Sequence, residues 1–534
     1  MSAAPRLAAP RLPAPRLTRH NPWAIAFTVT LATFMEILDT SIANVSLPHI
    51  AGGLSATVDE STWILTAYLV ANAIVLPTSA WISARIGRKR FYMTCVAIFT
   101  ASSFLCGLAP SLTALILFRV MQGAGGGGLQ PSEQAILSDT FPPEQFGTAF
   151  AIYGMAVVLA PAIGPTLGGY ITDNFNWRWI FLINVPVGIA SLLLTYRMIE
   201  DPPYLNAASK AAARKLSVDY AGFGLIVLGL GCLQVLLDKG QEDDWFQSNL
   251  IAALGIISIA ALAIFVVWEW RQPHPVLELK LFRSRSFAIA GLMMFVLGAM
   301  LYGSTTLLPL FMQGLLGYTA ELSGMVLSPG GFAIIAMLPL VGVLAGRVEA
   351  RWMVGVGFAI SAVALFHMCR LNLQIDFTTA MMYRIYQSIG LPFLFIPINT
   401  AAFASATGEN SNQISSIVNL CRNVGGSVGI SMVATLIARH TQVHQDALAR
   451  HVTQYDGTLR ALHHGLGSTL ATAGASSADA MHQALGRIYG FVQVQAAAQA
   501  YIDTLWLMGV ACLCMLPLVF LMGRNDPSKA MAAH

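Results

Sequence analysis

Two carboxylates stand inside the first long apolar run of the chain. Glu36 and Asp39 lie within residues 23–48 and are three residues apart, so a helix places both side chains on one face. A charged carboxylate at the centre of a membrane span costs about 3 kcal/mol or more, and such residues usually face a cavity or a partner. The pair therefore predicts a path for protons, provided that the rest of the chain supplies a membrane protein.

A basic residue at matching depth gives one of these acids a partner. Asp39 lies about nine residues, or roughly 13 Å of helix, before Pro48, where its run ends. Arg119 lies about eight residues, or roughly 12 Å, into the run from 112 to 136. Because the first and fourth runs cross in opposite directions, we expect the two charges to meet, which lowers the cost of both. Two interpretations stay open: a proton relay or a structural ion pair.

The composition requires lipid as the solvent. The chain has 534 residues, 56% hydrophobic and 10% charged, with a mean hydropathy of +0.64. Soluble chains carry about 25% charged residues, and a helix needs about 20 apolar residues to cross the hydrocarbon. An all-α membrane protein with fourteen spans is therefore predicted. The spans are 23–48, 61–82, 91–109, 112–136, 147–171, 178–199, 219–238, 249–268, 287–313, 321–345, 353–370, 378–402, 414–438 and 499–522.

The order of the spans predicts two pseudo-repeats of six helices with an inserted two-helix hairpin. Transporters built from such repeats bind substrate between the halves, near the midplane. The predicted segments are a disordered, basic cytoplasmic tail at 1–22, a first half at 23–199, a linker and hairpin at 200–286, a second half at 287–522 with a long periplasmic loop at 439–498, and a cytoplasmic tail at 523–534.

The positions of lysine and arginine predict the orientation. With the N-terminus inside, 20 of the 30 Lys and Arg residues fall on the inner side, and the short outer loops hold only Arg178 and Lys239. Cytoplasmic loops carry such an excess, so both termini are expected in the cytoplasm. This distribution accounts for the net charge of +4 without a nucleic-acid partner.

The long outer loop contains six of the eleven histidines. His440 and His444 are four residues apart and share a helix face, which would suit two metal ligands. No acid or cysteine ligand set accompanies them in the loop, so we expect no metal and no cofactor there. We interpret the loop as a surface that docks a protein. All seven cysteines lie in predicted spans, so neither disulfides nor a zinc motif is expected.

Several motifs suit bending, close packing or gating. The glycines at 123–128 match a dinucleotide-binding spacing, but no strand precedes them, and small residues in a membrane serve close helix packing instead. The gating candidates lie in the turn after the second span and in the fourth and fifth spans: Arg85, Gly87, Arg88, Glu133, Gly154, Pro161, Gly164, Pro165, Gly168 and Gly169. Secondary candidates for a substrate cavity are Tyr68, Gln122, Met155, Tyr302, Gln313, Arg384, Gln387, Asn399 and Arg422.

Together these motifs resemble the major facilitator superfamily, and within it the fourteen-helix drug:proton antiporters of the EmrB/QacA type. The resemblance is carried by residues 38–48, 63–68, 119–128, 154–169, 179–186, 237–245 and 422–429. It is greatest to the EmrB-like inner-membrane subunit of tripartite multidrug efflux pumps. It implies the major facilitator fold, proton-driven export of amphipathic drugs, a place in the bacterial inner membrane, and two partners: an EmrA-like periplasmic adaptor and a TolC-type outer-membrane channel.

Two features depart from the family pattern. Ala80 and Ala84 replace the Gly and Asp that usually follow the second span, so the charge-relay role of that Asp is not carried over. Glu36 stands where relatives often have a neutral polar residue. A second titratable site is therefore expected to be particular to this subgroup.

We therefore predict an alternating-access exporter in which Asp39, Glu36 and Arg119 couple drug export to inward proton movement. Two alternatives remain open: a proton-coupled importer of the same fold and a non-transporting membrane receptor. The Gly/Pro pattern of the fifth span and the span count favour an exporter, and a receptor needs no acid at depth. No nucleophile–base set, phosphate loop or metal cluster indicates an enzyme.

Overall fold

The computed structural model describes residues 20–142, 145–202, 219–273, 275–404, 410–451, 457–474 and 476–522. Residues 1–19 of the predicted tail at 1–22, the whole predicted tail at 523–534 and residues 203–218 of the linker lie outside these ranges. Apart from two short 3₁₀ segments, Trp245–Gln247 and Leu279–Arg283, the regular structure of the described ranges is α-helix. The helices are α1 Pro22–Val45, α2 Leu47–Gly53, α3 Val58–Ile86, α4 Arg88–Gly107, α5 Leu112–Gly126, α6 Leu129–Thr140, α7 Phe146–Asn174, α8 Trp179–Leu182, α9 Asn184–Met198, α10 Tyr220–Lys239, α11 Asn249–Arg271, α12 Arg285–Leu316, α13 Ala320–Ala345, α14 Ala350–Met368, α15 Phe377–Phe403, α16 Ser411–His451, α17 Gly457–Thr472 and α18 Ser477–Val519.

Each of the fourteen predicted spans coincides with one helix or with two consecutive helices. Within the described residues, eleven helices are long and apolar enough to cross a membrane, and twelve when the two segments of a bent α7 are taken as one span. The other two predicted spans hold the α5–α6 pair and α15. The first of these spans is divided between α5 and α6, which have 15 and 12 residues and are each too short to cross alone. Both spans also contain buried polar side chains, which lower their hydropathy: Arg119, Gln122, Gln130, Glu133, Gln134, Arg384, Gln387 and Asn399.

The bend in α7 follows from its prolines. The segments Phe146–Pro161 and Ile163–Asn174 meet at 42°. Pro165 has no backbone N–H, so the carbonyl of Pro161 loses its helical donor. Ser41 Oγ of α1 donates to that carbonyl at 3.3 Å instead. A Cβ at Gly164 would collide with the Ser41 side chain, so the glycine allows α1 to pack on the bend.

The first half (α1–α9) and the second half (α12–α18) meet along several helix pairs, among them α7–α13 and α3–α16. Helix α7 packs on α13 so closely that a Cβ at Gly147 would lie 2.7 Å from the carbonyl oxygen of Gly342. Helix α3 packs on the start of α16, where Asn412 Nδ2 donates to Ser83 Oγ at 2.7 Å. We call the side of the bundle at which α1 begins the terminal side. Because α3 ends and α16 begins there, the α3–α16 contact closes the terminal side of the cleft between the halves.

The inserted hairpin, α10 and α11, contacts both halves. Its two helices are joined by a hydrogen bond of 2.9 Å from Ser258 Oγ to the carbonyl of Gly229. Helix α10 contacts α3 through a hydrogen bond between Thr66 and Asp238. It contacts α16 through Ser427 Oγ, which donates to Gln234 at 2.9 Å.

The segment predicted as a long loop, 439–498, is mostly helical where the structure describes it. Helix α16 continues through His451, and α18 begins at Ser477, well before the predicted span at 499. Helix α17 packs on α18 through a small apolar cluster that includes Leu470 and Ala484. We call these parts together, residues 439–451, α17 and 477–498, the helical extension.

Candidate functional site

Asp39 is held by three donors from two other helices. Its Oδ2 lies 2.5 Å from Nη1 of Arg119, and both side chains are fully buried. Gln122 and Asn184 donate to Oδ1 at 3.0 Å and 2.6 Å. Arg119 also donates from Nε to the carbonyl of Ile64 at 3.2 Å. Each charge of the pair therefore has a compensating partner, which a buried ion pair requires.

Glu36, one turn earlier on α1, lies in a different environment. Its hydrogen-bond donors in the described structure are neutral: Tyr68 Oη at 2.9 Å and Asn72 at 3.2 Å on Oε1, and Gln130 at 2.7 Å on Oε2. The Arg119 guanidinium stacks on the Tyr68 ring, 4.2 Å from its centroid, so the same ring separates Arg119 from Glu36. The two acids thus share a helix face but have different partners.

The glycine run explains how α5 comes this close to α3. A Cβ at Gly123 would overlap the carbonyl of Tyr68, and one at Gly127 would lie 2.6 Å from the carbonyl of Asn72. A Cβ at Gly126 would meet the Tyr68 hydroxyl at 2.6 Å and Glu36 Cγ at 3.3 Å. Small residues let membrane helices approach backbone to backbone, and here they bring Tyr68 and Asn72 to the acid.

Gln130 links Glu36 to a cation of the opposite half. Its amide nitrogen donates to Glu36, and its carbonyl oxygen accepts from Nη2 of Arg422 on α16. Arg422 also donates to Tyr153 Oη at 2.9 Å and to Asn419 Oδ1 at 2.8 Å. All of these side chains are buried. One amide therefore connects an acid of the first half to an arginine of the second.

Glu133, one of the gating candidates, is a third buried acid of the first half. Its Oε1 accepts from Thr30 at 2.6 Å, and the side chain is fully buried. Thr30 is eight residues into α1, so this contact is roughly 12 Å along the helix from Pro22. The first half thus holds a third buried acid away from its surface. Next to it, Gln134 bonds to Asn399 and Asn419 of the second half at 3.2 Å and 2.8 Å.

Arg384, the other buried arginine of the second half, bonds within the described residues to side chains of its own half. It donates to Gln387 at 2.7 Å and to Thr305 at 3.2 Å. Both partners are polar, uncharged side chains. No acid lies within ion-pair distance of it in the part of the chain that the structure describes.

The turn after the second span is organised around Gly87 and Arg88. Gly87 has φ +97°, a conformation that favours glycine because it lacks a Cβ. Arg88 is buried, pairs with Asp139 at the end of α6 and donates to the carbonyl of Ala135 at 3.1 Å. Arg85 stacks on Trp81, 4.0 Å from the ring centroid.

The remaining candidates for the substrate cavity and for gating differ in burial and in what they contact. Tyr68 and Gln122 contact the acids directly, Gln387 and Asn399 are buried in α15, and Met155 and Tyr302 are partly buried. Gln313 is exposed, so it lines no buried cavity. In α7, Gly154 packs on Phe395 of the second half, Gly168 packs on Ile42, and Gly169 is buried.

Sequence reasoning missed several buried polar side chains that take part in these contacts. A signal was available for them, since each is a polar side chain inside a long apolar run. Among them are Asn72, Gln130, Gln134, Tyr153, Asn184 and Asn419.

The family model described as Major Facilitator Superfamily matches residues 29–430. The chain belongs to this superfamily. Two relatives indicate a narrower group within the superfamily. It is 34% identical over 502 residues to the fatty acid resistance protein FarB of Neisseria gonorrhoeae, which covers 93% of this chain and 95% of FarB. It is 33% identical over 449 residues to the multidrug export protein EmrB of Escherichia coli, covering 83% of this chain and 86% of EmrB.

These relatives confirm the predicted EmrB-like membership of this major facilitator. Among solved structures, the proton:xylose symporter XylE superposes with a TM-score of 0.57 at 12% identity, covering 95% of this chain and 97% of XylE. At that identity the likeness concerns the fold alone, and it confirms the predicted major facilitator fold. The chain is therefore a multi-pass membrane transporter and not an enzyme.

Proposed function

We propose that this major facilitator is a proton-coupled multidrug exporter that works by alternating access. One observation carries the proposal: Glu36 and Asp39 share a buried face of α1, one paired with Arg119 and the other linked through Gln130 to Arg422 of the opposite half. The names of the relatives, a multidrug export protein and a fatty acid resistance protein, support export of amphipathic compounds.

Asp39 is the first proton acceptor in this mechanism. A proton on Asp39 removes the negative partner of Arg119 and leaves the guanidinium with Gln122, the Ile64 carbonyl and the Tyr68 ring. A buried cation without its counter-ion is costly. The conformation that gives Arg119 better solvation is then favoured, so protonation biases the equilibrium between the two states of the transporter.

Glu36 is the acceptor that reaches the second half. While it is a carboxylate, it accepts from Gln130 and orients the Gln130 carbonyl towards Arg422. A protonated Glu36 is a poorer acceptor, because charge-assisted hydrogen bonds are about twice as strong as neutral ones. The Gln130–Arg422 contact then loses its orientation, and the halves are released from each other at this level.

The proton gradient supplies enough free energy for uphill export. Each proton that moves inward gains about 2.3 kcal/mol per 100 mV of membrane potential. Since a tenfold concentration ratio corresponds to about 1.4 kcal/mol, one proton sustains roughly a fortyfold gradient of a neutral drug at that potential.

The proposed orientation puts both termini in the cytoplasm and the helical extension in the periplasm, in agreement with the lysine and arginine distribution. The extension presents several large apolar side chains to solvent, among them Val443, Leu485, Tyr489 and Phe491, which are 53–65% exposed. Exposed apolar surface of this kind marks interaction sites. We assign this exposed apolar surface to the binding of an EmrA-like adaptor. The adaptor would connect this inner-membrane subunit to a TolC-type channel.

Transport in proteoliposomes tests the proposal. With the extension facing an acidic lumen, the protein should accumulate a fluorescent cationic dye in the lumen, and a proton uncoupler should abolish this. The Asp39→Asn and Glu36→Gln variants should both lose the gradient-driven part of the dye accumulation. Asp173→Asn, which changes a half-exposed acid at the end of α7, is the matched control and should keep it.

Each alternative function has its own signature in the same assay. A proton-coupled importer would deplete the lumen of dye, and a receptor would leave it unchanged. Full gradient-driven accumulation in the Asp39→Asn and Glu36→Gln double variant would contradict the assignment of both acids.

A further inference from the structure

A cluster of metal-ligating side chains lies at the base of the helical extension. His440 and His444 of α16 both point at one carboxylate oxygen of Asp503 on α18. His440 Nδ1 lies 2.9 Å and His444 Nε2 lies 2.7 Å from Asp503 Oδ2. All three candidate ligand atoms lie within 4.8 Å of one another. The third side chain of the cluster thus comes from α18, and Asp503 lies 59 positions after His444 in the sequence.

We propose that His440, His444 and Asp503 bind a divalent transition-metal ion of the Zn²⁺ class. Two imidazoles and one carboxylate are a common ligand set for zinc with an open fourth position. Mg²⁺ and Ca²⁺ prefer oxygen ligands throughout, so the two histidines select against them.

The geometry needs only a small adjustment to admit the ion. Ligand bonds of about 2.0–2.2 Å in a tetrahedral site put neighbouring ligand atoms roughly 3.4 Å apart. The two observed nitrogen–oxygen separations, 2.9 and 2.7 Å, must therefore widen by roughly 0.5 and 0.7 Å. The histidines are one turn apart on α16, so rotation of their side chains can supply this change without moving the helix.

The site is accessible to an ion from solvent. The side chains of His440, His444 and Asp503 are 32%, 25% and 40% exposed. An ion can therefore enter without opening the fold, and a water molecule can take the fourth position. The partial burial also limits competition from bulk water for the three protein ligands.

A metal ion bound at this position would affect the structure of the helical extension. The predicted spans end at 438 in α16 and begin at 499 in α18, so the ligands lie where both helices leave the membrane. A bound ion would cross-link the two helices at the foot of the helical extension. It would fix the direction of the extension relative to the transmembrane bundle. This inference does not depend on the proposed drug export.

Metal binding by the purified full-length chain tests the inference. The protein is purified with a tag that contains no histidine, stripped with a chelator and titrated with Zn²⁺. A parallel titration with Co²⁺ follows the visible absorption of a tetrahedral site. We expect one tight site per chain. Asp503→Asn and His444→Ala should each weaken binding by about 100-fold or more, because even outer-shell partners of a metal contribute 10–100-fold.

Two control variants separate this site from other metal-binding groups. His482→Ala removes an exposed histidine of α18 outside the cluster. Cys369→Ser removes a thiol whose Sγ lies 3.8 Å from the carbonyl of Ile502, next to Asp503. Both should bind Zn²⁺ as the unaltered chain does.

Two results would overturn the proposal. One is an unaltered chain that binds no Zn²⁺ at micromolar concentration, which would leave the cluster a hydrogen-bonded His–Asp contact. The other is undiminished binding in Asp503→Asn, the nearly isosteric variant, which is informative even where His444→Ala fails to fold.

Discussion

The two halves of this transporter share a helix plan but differ in the charges that they bury. The described part of the first half buries three acids, Glu36, Asp39 and Glu133, together with the cations Arg88 and Arg119. The described part of the second half buries Arg384 and Arg422 and no acid. In the proposed mechanism this difference corresponds to a division of roles, in which the first half carries the exchangeable protons and the second half supplies cations that respond to them.

The two arginines of the second half sharpen this comparison. Arg422 reaches across the cleft to Gln130 and Tyr153 of the first half, whereas Arg384 bonds to Gln387 and Thr305 of its own half. Only Arg422 is therefore placed to sense the charge of an acid in the first half. Arg384 belongs to the internal structure of its own half.

The largest expected effect comes from breaking the Asp39–Arg119 pair. Asp39→Asn keeps the side-chain shape but leaves Arg119 buried without a counter-ion, so the free energy of unfolding should fall by about 3–5 kcal/mol. Thermal unfolding in detergent measures this. Adding Arg119→Gln should recover most of the stability, because it removes the orphaned charge.

The same double variant separates the two interpretations of the pair. A purely structural ion pair predicts that recovered stability brings back gradient-driven transport. A proton acceptor at Asp39 predicts that transport stays lost in the Asp39→Asn and Arg119→Gln double variant, which is the result that we expect.

A smaller effect is expected from the second half. Arg422→Gln removes charged hydrogen bonds across the cleft, each worth about 1.5–3 kcal/mol, and should slow gradient-driven transport roughly tenfold or more. Arg384→Gln, the matched control in the same half, should slow it less. Equal losses in the two variants, measured as initial rates in proteoliposomes at equal protein content, would contradict the special role of Arg422.

The smallest effect is expected at the third acid. Glu133→Gln retains an acceptor for Thr30 and removes no counter-ion, so the free energy of unfolding should stay within about 1 kcal/mol of the unaltered chain. A fall as large as that of Asp39→Asn would show that Glu133 also has a cationic partner. Thermal unfolding of the two variants side by side decides this.

Much of the fold and one central contact could be predicted from the sequence. Apolar runs long enough to cross a membrane identify helices directly, and depth along two antiparallel spans was enough to pair Asp39 with Arg119. The partner of Glu36 could not be predicted, because Gln130 and Arg422 meet only through the packing of α6 on α16. Periodicity within one helix contains no information about that packing.

Two further differences have physical reasons. The fourth span was predicted as one helix, but α5 ends at Gly126 and α6 begins at Leu129, where glycines allow the break. No metal was expected at His440 and His444 because no acid or cysteine ligand set accompanies them in the loop, and the third member of the proposed site, Asp503, comes from α18. A ligand set assembled from two helices is visible only once their packing is known.

The contact between Gly147 and Gly342 has a mechanical consequence for the transport cycle. Where two backbones touch without side chains between them, one helix can roll over the other without any rotamer having to change. Such a contact leaves α7 free to rotate against α13. The two glycines are not equivalent: a methyl group at Gly147 would lie 2.7 Å from the carbonyl oxygen of Gly342, whereas one at Gly342 would make ordinary contacts from 3.4 Å outward. Of the two, Gly147 is therefore the position at which an alanine should hinder this rotation.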